Sequence, residues 1–277
     1  MSLTAEAAGK TDVGCVRKNN EDSLGWDQRL GVYVVCDGMG GAQAGEIASK
    51  MGVDLVLEYF RQGKESGVYP AFGELPNDVS LGGKQLTSAI QRANAAIFEA
   101  GESKQTQHGM GTTIVAVLLQ DNFMTVAHAG DSRLYRLRDG SLEQLTNDHS
   151  LVAEQVRRGL ITAEQAEESD LQNIIIRALG SEEQVQPDVE DLIAFRDDIY
   201  LLATDGLTKL VKPDSIKQIL ETSRSLDATC EDLIKAAKDK GGDDNITCLL
   251  LRVVEEHWYH KLLTFRPGRG QSWRNSS

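Results

Sequence analysis

The sequence predicts an α+β fold, and three features of the chain predict it. Apolar runs of strand length, punctuated by turn residues, crowd the stretch from 112 to 138. They follow one another too closely for crossover helices, so they are antiparallel. Segments with an apolar residue every third or fourth position lie apart from these runs, which argues against a regular βαβ alternation.

Taken in order, Leu30 to Cys36 reads as a strand. Ile47, Met51, Leu55 and Tyr59 mark one helix by their spacing, and Leu86, Ile90, Ala93 and Ile97 a second. Thr112 to Leu119 and Phe123 to Ala129 flank Gln120-Asp121-Asn122 as a hairpin, with His128 a structural residue in mid-strand. Ser132 to Arg138 is the next strand, ended by Asp139-Gly140. Leu151 to Arg177 reads as a polar helical insertion, and Thr162 with Gln165 forms a capping box inside it. Ile199 to Ala203 is a strand, Asp214 and Asp227 start two helices, and Ile246 to Val254 is the final strand.

The 277 residues carry a net charge of -13, which disfavours nucleic acid as a partner. No run approaches the roughly 18 apolar residues of a membrane span. Met1 to Lys10 lacks an apolar signal core, and Cys15, Cys36, Cys230 and Cys248 show no CxxC spacing. Reduced thiols and a cytoplasmic location are the expectation. Cys36, next to an acidic residue in a strand, reads as a core thiol. Residues 1–256 read as one domain. The extension 257–277 is basic, with Lys261, Arg266, Arg269 and Arg274 beside Trp258 and Trp273. It is expected either to dock or to remain loose.

Strand-end aspartates are the functional signal. Asp37 follows Val34-Val35-Cys36, Asp205 follows Leu201-Leu202-Ala203-Thr204, and Asp244 precedes Asn245-Ile246-Thr247-Cys248. Asp131 lies between two strands. A carboxylate left ionised and unpaired beside a core costs several kcal/mol, and hard divalent cations are one remedy because they prefer oxygen ligands. Glycines at Gly38, Gly206 and Gly242 let the chain turn sharply beside them. An ordinary Asp-Gly turn is the competing reading at any one site; a shared cation site gains from their recurrence on separate strands.

These residues fall into ordered motifs: Thr11 to Asp22, Asp37-Gly38-Met39-Gly40-Gly41, Gly111-Thr112-Thr113, Gly130-Asp131-Ser132-Arg133, Asp148-His149-Ser150, Thr204-Asp205-Gly206 and Gly241 to Asn245. The series resembles the bacterial form of the PPM, or PP2C-type, metal-dependent protein serine/threonine phosphatases, over about residues 8 to 254. The resemblance implies a four-layer α-β-β-α sandwich, two Mg²⁺ or Mn²⁺ ions with a weaker third, and hydrolysis of phosphoserine and phosphothreonine by a water that bridges two cations. It assigns the bridging ligand to Asp37, further ligands of the first ion to Asp205 and Asp244, and a carbonyl ligand of the second to Gly38, with Glu21 helping through water. Asp131 resembles the third-ion position, and Arg17 the phosphate-binding arginine. Asp22 lies in the same motif without a definite role, and the spacing to Asn245 favours Asp244 over Asp243 as the ligand.

Some relatives place a histidine, a proton donor, where this chain has Met39. Metal-bound water is then the expected donor, with His149 the alternative, although the resemblance puts His149 and Ser150 at the start of a flap formed by Leu151 to Arg177. Phosphoprotein substrates, a serine/threonine kinase partner by analogy and a monomer are the further expectations. A scaffold that has lost catalysis predicts missing metal ligands, whereas the principal ones are present; a hydrolase of another phosphoester needs only the same metal centre.

Overall fold

The computed structural model describes residues 2–40, 44–103 and 109–255. The basic extension from residue 257 lies outside them. The chain begins with strands β1 (Leu3–Asp12), β2 (Asp22–Asp27) and β3 (Val32–Met39), followed by helices α1 (Ala44–Ser66) and α2 (Leu81–Ser103). Strands β4 (Gly111–Thr112), β5 (Ile114–Gln120), β6 (Phe123–Ala129), β7 (Arg133–Arg138) and β8 (Ser141–Gln144) come next. Short helices α3 (Leu151–Arg157) and α4 (Ala163–Glu167) lead to β9 (Asp188–Ile193), β10 (Ile199–Ala203), helices α5 (Asp205–Thr208), α6 (Pro213–Thr222) and α7 (Leu226–Lys238), and β11 (Ile246–Glu255).

Two antiparallel sheets result. One runs β1-β11-β10-β7-β8, the other β2-β3-β5-β6-β9 with β4 beside β3. Their facing sides share a core of Tyr33, Val35, Val117, Val126, Leu134, Tyr200, Leu202, Leu249 and Leu251. The alternate residues of the same strands point outward. Val32, Val34 and Cys36 pack under α1 and α2, and Leu201, Ala203, Cys248 and Leu250 under α6 and α7. Strict alternation of side chains along a strand therefore builds the four-layer sandwich that the resemblance implies. Because both faces are covered, the central strands are apolar at nearly every position, which is why they stand out in the sequence.

Several expectations are corrected. The strands from 112 to 138 are not all hydrogen-bonded neighbours: β6 and β7 lie in different sheets, and Gly130-Asp131-Ser132 carries the chain across. Gly130 has φ +112°, and a Cβ there would meet Thr113 at 2.6 Å. On α1 the residues Ile47, Met51 and Leu55 are only a flank, half-buried beside the core. The face against the sheet is made of small residues, Ala44, Ala48 and Gly52, with Val53, Val56 and Phe60. Leu151 to Arg177 is helical only over α3 and α4. The capping box at Thr162 and Gln165 is present. Asp214 and Asp227 lie in first turns, where they favour the helix dipole, while Lys212 and Ser225 occupy the N-cap positions.

Candidate active site

Five carboxylates gather where both sheets end. Asp22 opens β2 and is paired in register with Asp37 near the end of β3. Asp205 follows β10 and Asp244 precedes β11, while Asp131 sits on the crossing between sheets. The two sheets are stitched together at this point. Thr204 donates its hydroxyl to Asp22 Oδ2 at 2.9 Å, and Thr247 N–H donates to Thr204 Oγ1 at 3.0 Å.

Asn245 is a second stitch. Its Oδ1 accepts from Glu21 N–H at 2.7 Å, and its Nδ2 donates to the carbonyls of Val13 and Asn19. It thereby fixes the Thr11-to-Asp22 loop against the Asp244 turn. Glycine is required where these segments touch. A Cβ on Gly38 would lie 2.1 Å from the Gly45 carbonyl oxygen, and one on Gly206 2.0 Å from that of Asn245. Thr113 holds Asp37 from the other side. Asp37 N–H donates to Thr113 Oγ1 at 3.0 Å, and Thr113 N–H donates to the Asp37 carbonyl at 2.8 Å.

Like charges at close quarters raise one another's pKa. Burial, and then Asp22, Asp205, Asp131 and Asp244, hold the Asp37 carboxyl well above its usual range. Burial first, and then Asp205, push Asp131 up to about 7. Burial also pushes Asp22 up to about 7, with Asp205 and Asp244 adding to it. Asp244 and Glu21 are raised as well, again by burial first.

Asp205 Oδ1 and Asp22 Oδ1 are buried without a hydrogen-bond partner. Orphaned anionic oxygens amid mutually repelling carboxylates are what a hard divalent cation satisfies, so this donor set fits the expected metal centre. Asp243 is exposed, whereas Asp244 is electrostatically coupled to Asp22 and Asp37.

Basic residues rim the cluster. Arg17 Nη2 donates to Asp244 Oδ2 at 2.9 Å, and the Arg17 side chain remains 54% exposed. Lys209, unnoticed in the sequence, pairs with Asp205 and also reaches Asn173 Oδ1, in the segment between α4 and β9, at 2.6 Å. The four-residue spacing from Asp205 to Lys209 on one helical turn was its signal. Arg133 grips Asp148 with three hydrogen bonds of 2.7 to 3.1 Å.

His149 is buried, 1% exposed. Its Nδ1 accepts from Gly130 N–H at 3.2 Å, and its Nε2 faces Asp188 at 3.2 Å. Ser150 caps α3. His128, read as structural, stacks on His149 at 4.7 Å and places Nε2 2.9 Å from the Asn147 carbonyl. The ligand atoms of His128, His149 and Asp188 lie within 4.8 Å of one another. The Arg177 guanidinium, 3.1 Å from His149 Nε2 and paired with Asp188, opposes a cation there. Met39, paired with Gly111 at the end of β3, carries no dissociable proton.

This arrangement has known counterparts. The family model for protein phosphatase 2C matches residues 16–250. The serine/threonine phosphatase stp of Listeria welshimeri is 38% identical over 245 residues, 87% of this chain and 93% of that one. PhpP of Streptococcus pneumoniae is 35% identical over 250 residues, 89% of this chain and 96% of its own. Among solved structures, Stp1 of Staphylococcus aureus superposes with a TM-score of 0.79 at 33% identity, covering 92% of this chain and 98% of its own. The catalytic domain of PstP in complex with two manganese ions superposes with a TM-score of 0.76 at 34% identity, covering 92% and 100%. Sequence, sandwich and carboxylate cluster agree: the chain belongs to the protein phosphatase 2C family.

Proposed function

We infer that this protein is a metal-dependent phosphatase that hydrolyses phosphoserine and phosphothreonine esters in proteins. The observation that carries this reading is the convergence of Asp22, Asp37, Asp131, Asp205 and Asp244 with buried carboxylate oxygens left unpartnered. Asp37, Asp205, Asp244 and the Gly38 carbonyl would hold two Mg²⁺ or Mn²⁺ ions, with Glu21 assisting, and Asp131 with Asp205 would hold a weaker third. When bound, such cations supply an activated water nucleophile and offset charge on the phosphoryl oxygens.

The chain's own residues do the rest. Arg17 spends one N–H group on Asp244, which leaves the remainder of its fork to bind phosphate oxygens. Asn245 and Thr204 keep the two sheet ends in register, so the carboxylates are placed before substrate arrives. The leaving alkoxide takes its proton from water: Met39 has none to give, and both ring nitrogens of His149 are engaged.

Phosphoproteins are the substrates, and a serine/threonine kinase is the fitting partner in signalling. We assign the protein to the cytoplasm as a monomer of one domain, residues 1–256. No described helix is long and apolar enough to cross a membrane. The deciding assay is phosphate release from phosphoserine and phosphothreonine peptides with Mn²⁺. Activity in the wild type, lost with chelator and in Asp205→Ala, is the expected result; equal activity with chelator overturns the reading.

A further inference from the structure

The flap stands on two feet. Leu151 N–H donates to the Ile174 carbonyl, and Ile176 N–H to the His149 carbonyl, both at 2.8 Å, which zips its ends together. Below the zip, His149 and Arg177 both meet Asp188 at the start of β9. The His149 hydrogen bond first, and then Arg177, hold the Asp188 carboxyl well below the usual carboxylate range.

The other edge of the same imidazole is turned to Gly130, the residue before Asp131. Gly130 N–H donates to His149 Nδ1 at 3.2 Å, and His149 N–H donates to the Gly130 carbonyl at 3.0 Å. One residue therefore takes both polar groups of Gly130, the neighbour of Asp131. Since Nδ1 accepts, the ring proton is on Nε2, where Asp188 receives it. On the far side of Asp131, the Ser132 hydroxyl meets that of Thr113 at 2.7 Å. The backbone of Asp131 is thus gripped on both flanks, with the flap feet holding one of the grips. His128 stacks on the ring, and Arg133 anchors the adjacent Asp148, so the imidazole cannot swing away.

We propose that His149 is a positioning residue that fixes Asp131 through the Gly130 peptide and couples it to the flap through Asp188 and Arg177. Its consequence for catalysis rests on the reading of Asp131 as a cation ligand. The coupling gives the flap a mechanical route to the metal centre: displacing the feet loosens the Gly130 grip, and loosening the grip frees the feet.

Two substitutions in the full-length chain separate the two edges of the ring. The side-chain oxygen of His149→Asn reaches the place of Nδ1 and keeps the acceptor for Gly130. The longer amide of His149→Gln reaches the place of Nε2 and keeps the bond to Asp188. Amide hydrogen exchange at Gly130 and Asp131 is expected to accelerate about tenfold in His149→Gln, the equivalent of one lost hydrogen bond, and to stay within about twofold of wild type in His149→Asn.

In calorimetric titration of the metal-stripped protein with Mn²⁺, the binding step removed by Asp131→Ala is expected to weaken about tenfold in His149→Gln alone. A merely structural histidine would loosen both variants alike, in step with their melting temperatures. Equal exchange at Gly130 in the two variants overturns the proposal. If exchange separates them but Asp131→Ala leaves the Mn²⁺ isotherm unchanged, the positioning role stands and the cation role of Asp131 falls. If Asp131→Ala alters the isotherm and His149→Gln does not, the link from His149 to the cation is refuted.

Discussion

Arg17 and Asp205 sit on opposite sides of the same electrostatic problem. Arg17 is half-exposed and pairs with Asp244 at 2.9 Å, a geometry that adds little to stability because exposed ion pairs are worth about 0–1 kcal/mol. Its removal should therefore be felt by substrate rather than by the fold. Arg17→Ala is expected to raise KM for a phosphopeptide by about tenfold or more with little change in melting temperature. Arg17→Lys should recover only part of this, since an ammonium keeps the charge and loses the bidentate fork. Steady-state kinetics beside a thermal melt checks both; a fall in melting temperature that parallels the kinetic loss would contradict the assignment. Asp205 is the reverse case. Its Oδ1 is buried without a partner while its other oxygen pairs with Lys209, so Asp205→Asn relieves repulsion among the carboxylates of the metal-free protein, gives up that ion pair and removes a proposed cation ligand. The two electrostatic changes oppose each other, and the variant should melt close to the wild type in chelator. It should also lose most of the stabilisation that Mn²⁺ confers by binding the folded state.

At the scale of elements, the site depends on how closely β3 meets the start of α1. Gly38 marks the place: an added Cβ would lie 2.1 Å from the Gly45 carbonyl oxygen and 2.6 Å from that of Glu21, and both contacts are backbone. Gly38→Ala is expected to cost about 2 kcal/mol or more, the range of overpacked cores. Gly67→Ala, at φ +72° with open space around it, should cost about 1 kcal/mol from backbone strain alone. Urea denaturation of the pair measures the difference, and equal losses would mean that β3 and α1 can part freely.

The sequence displayed β3, β5, β6, β10 and β11 because these strands are buried on both faces and consist of apolar runs. It concealed β1, whose Leu3–Asp12 segment is mostly alanine, threonine and charged residues with no apolar run; only its pairing with β11 along all ten residues makes it a strand. The face of α1 was concealed for a related reason. Its contact with the sheet uses Ala44, Ala48 and Gly52, while the larger Ile47, Met51 and Leu55 flank the contact. The principal carboxylates were legible because each ends or precedes an apolar strand. The Asp22–Asp37 pairing, the Arg133 grip on Asp148 and the His149–Asp188 contact were not, since each joins segments whose neighbourhood is set by the packing of distant strands.

For the whole molecule, the cluster means that the two sheets are held together at an end where their charges repel. Asp22 and Asp131 ionise near 7 in the folded protein against an ordinary 3.8, so the folded state binds more protons than the unfolded chain between these values. The sign follows from linkage: stability falls with rising pH wherever the folded state holds the extra protons. The contribution is fully present below about pH 4, is lost as pH rises through about 7, and is absent above it. Metal-stripped protein should accordingly melt at a higher temperature near pH 5.5 than near pH 8. Bound cations replace the protons as the neutralising charge, which reverses the slope: Mn²⁺ binds better as the carboxylates ionise. Thermal melts across this pH range, with chelator and with saturating Mn²⁺, should therefore diverge most at the alkaline end. The divergence should shrink in Asp205→Asn, which lowers the repulsion and weakens the ion together. Parallel curves with and without Mn²⁺ would show that the carboxylates of the two sheets do not share their charge, and the cation-bridged reading of this end of the sandwich would fail.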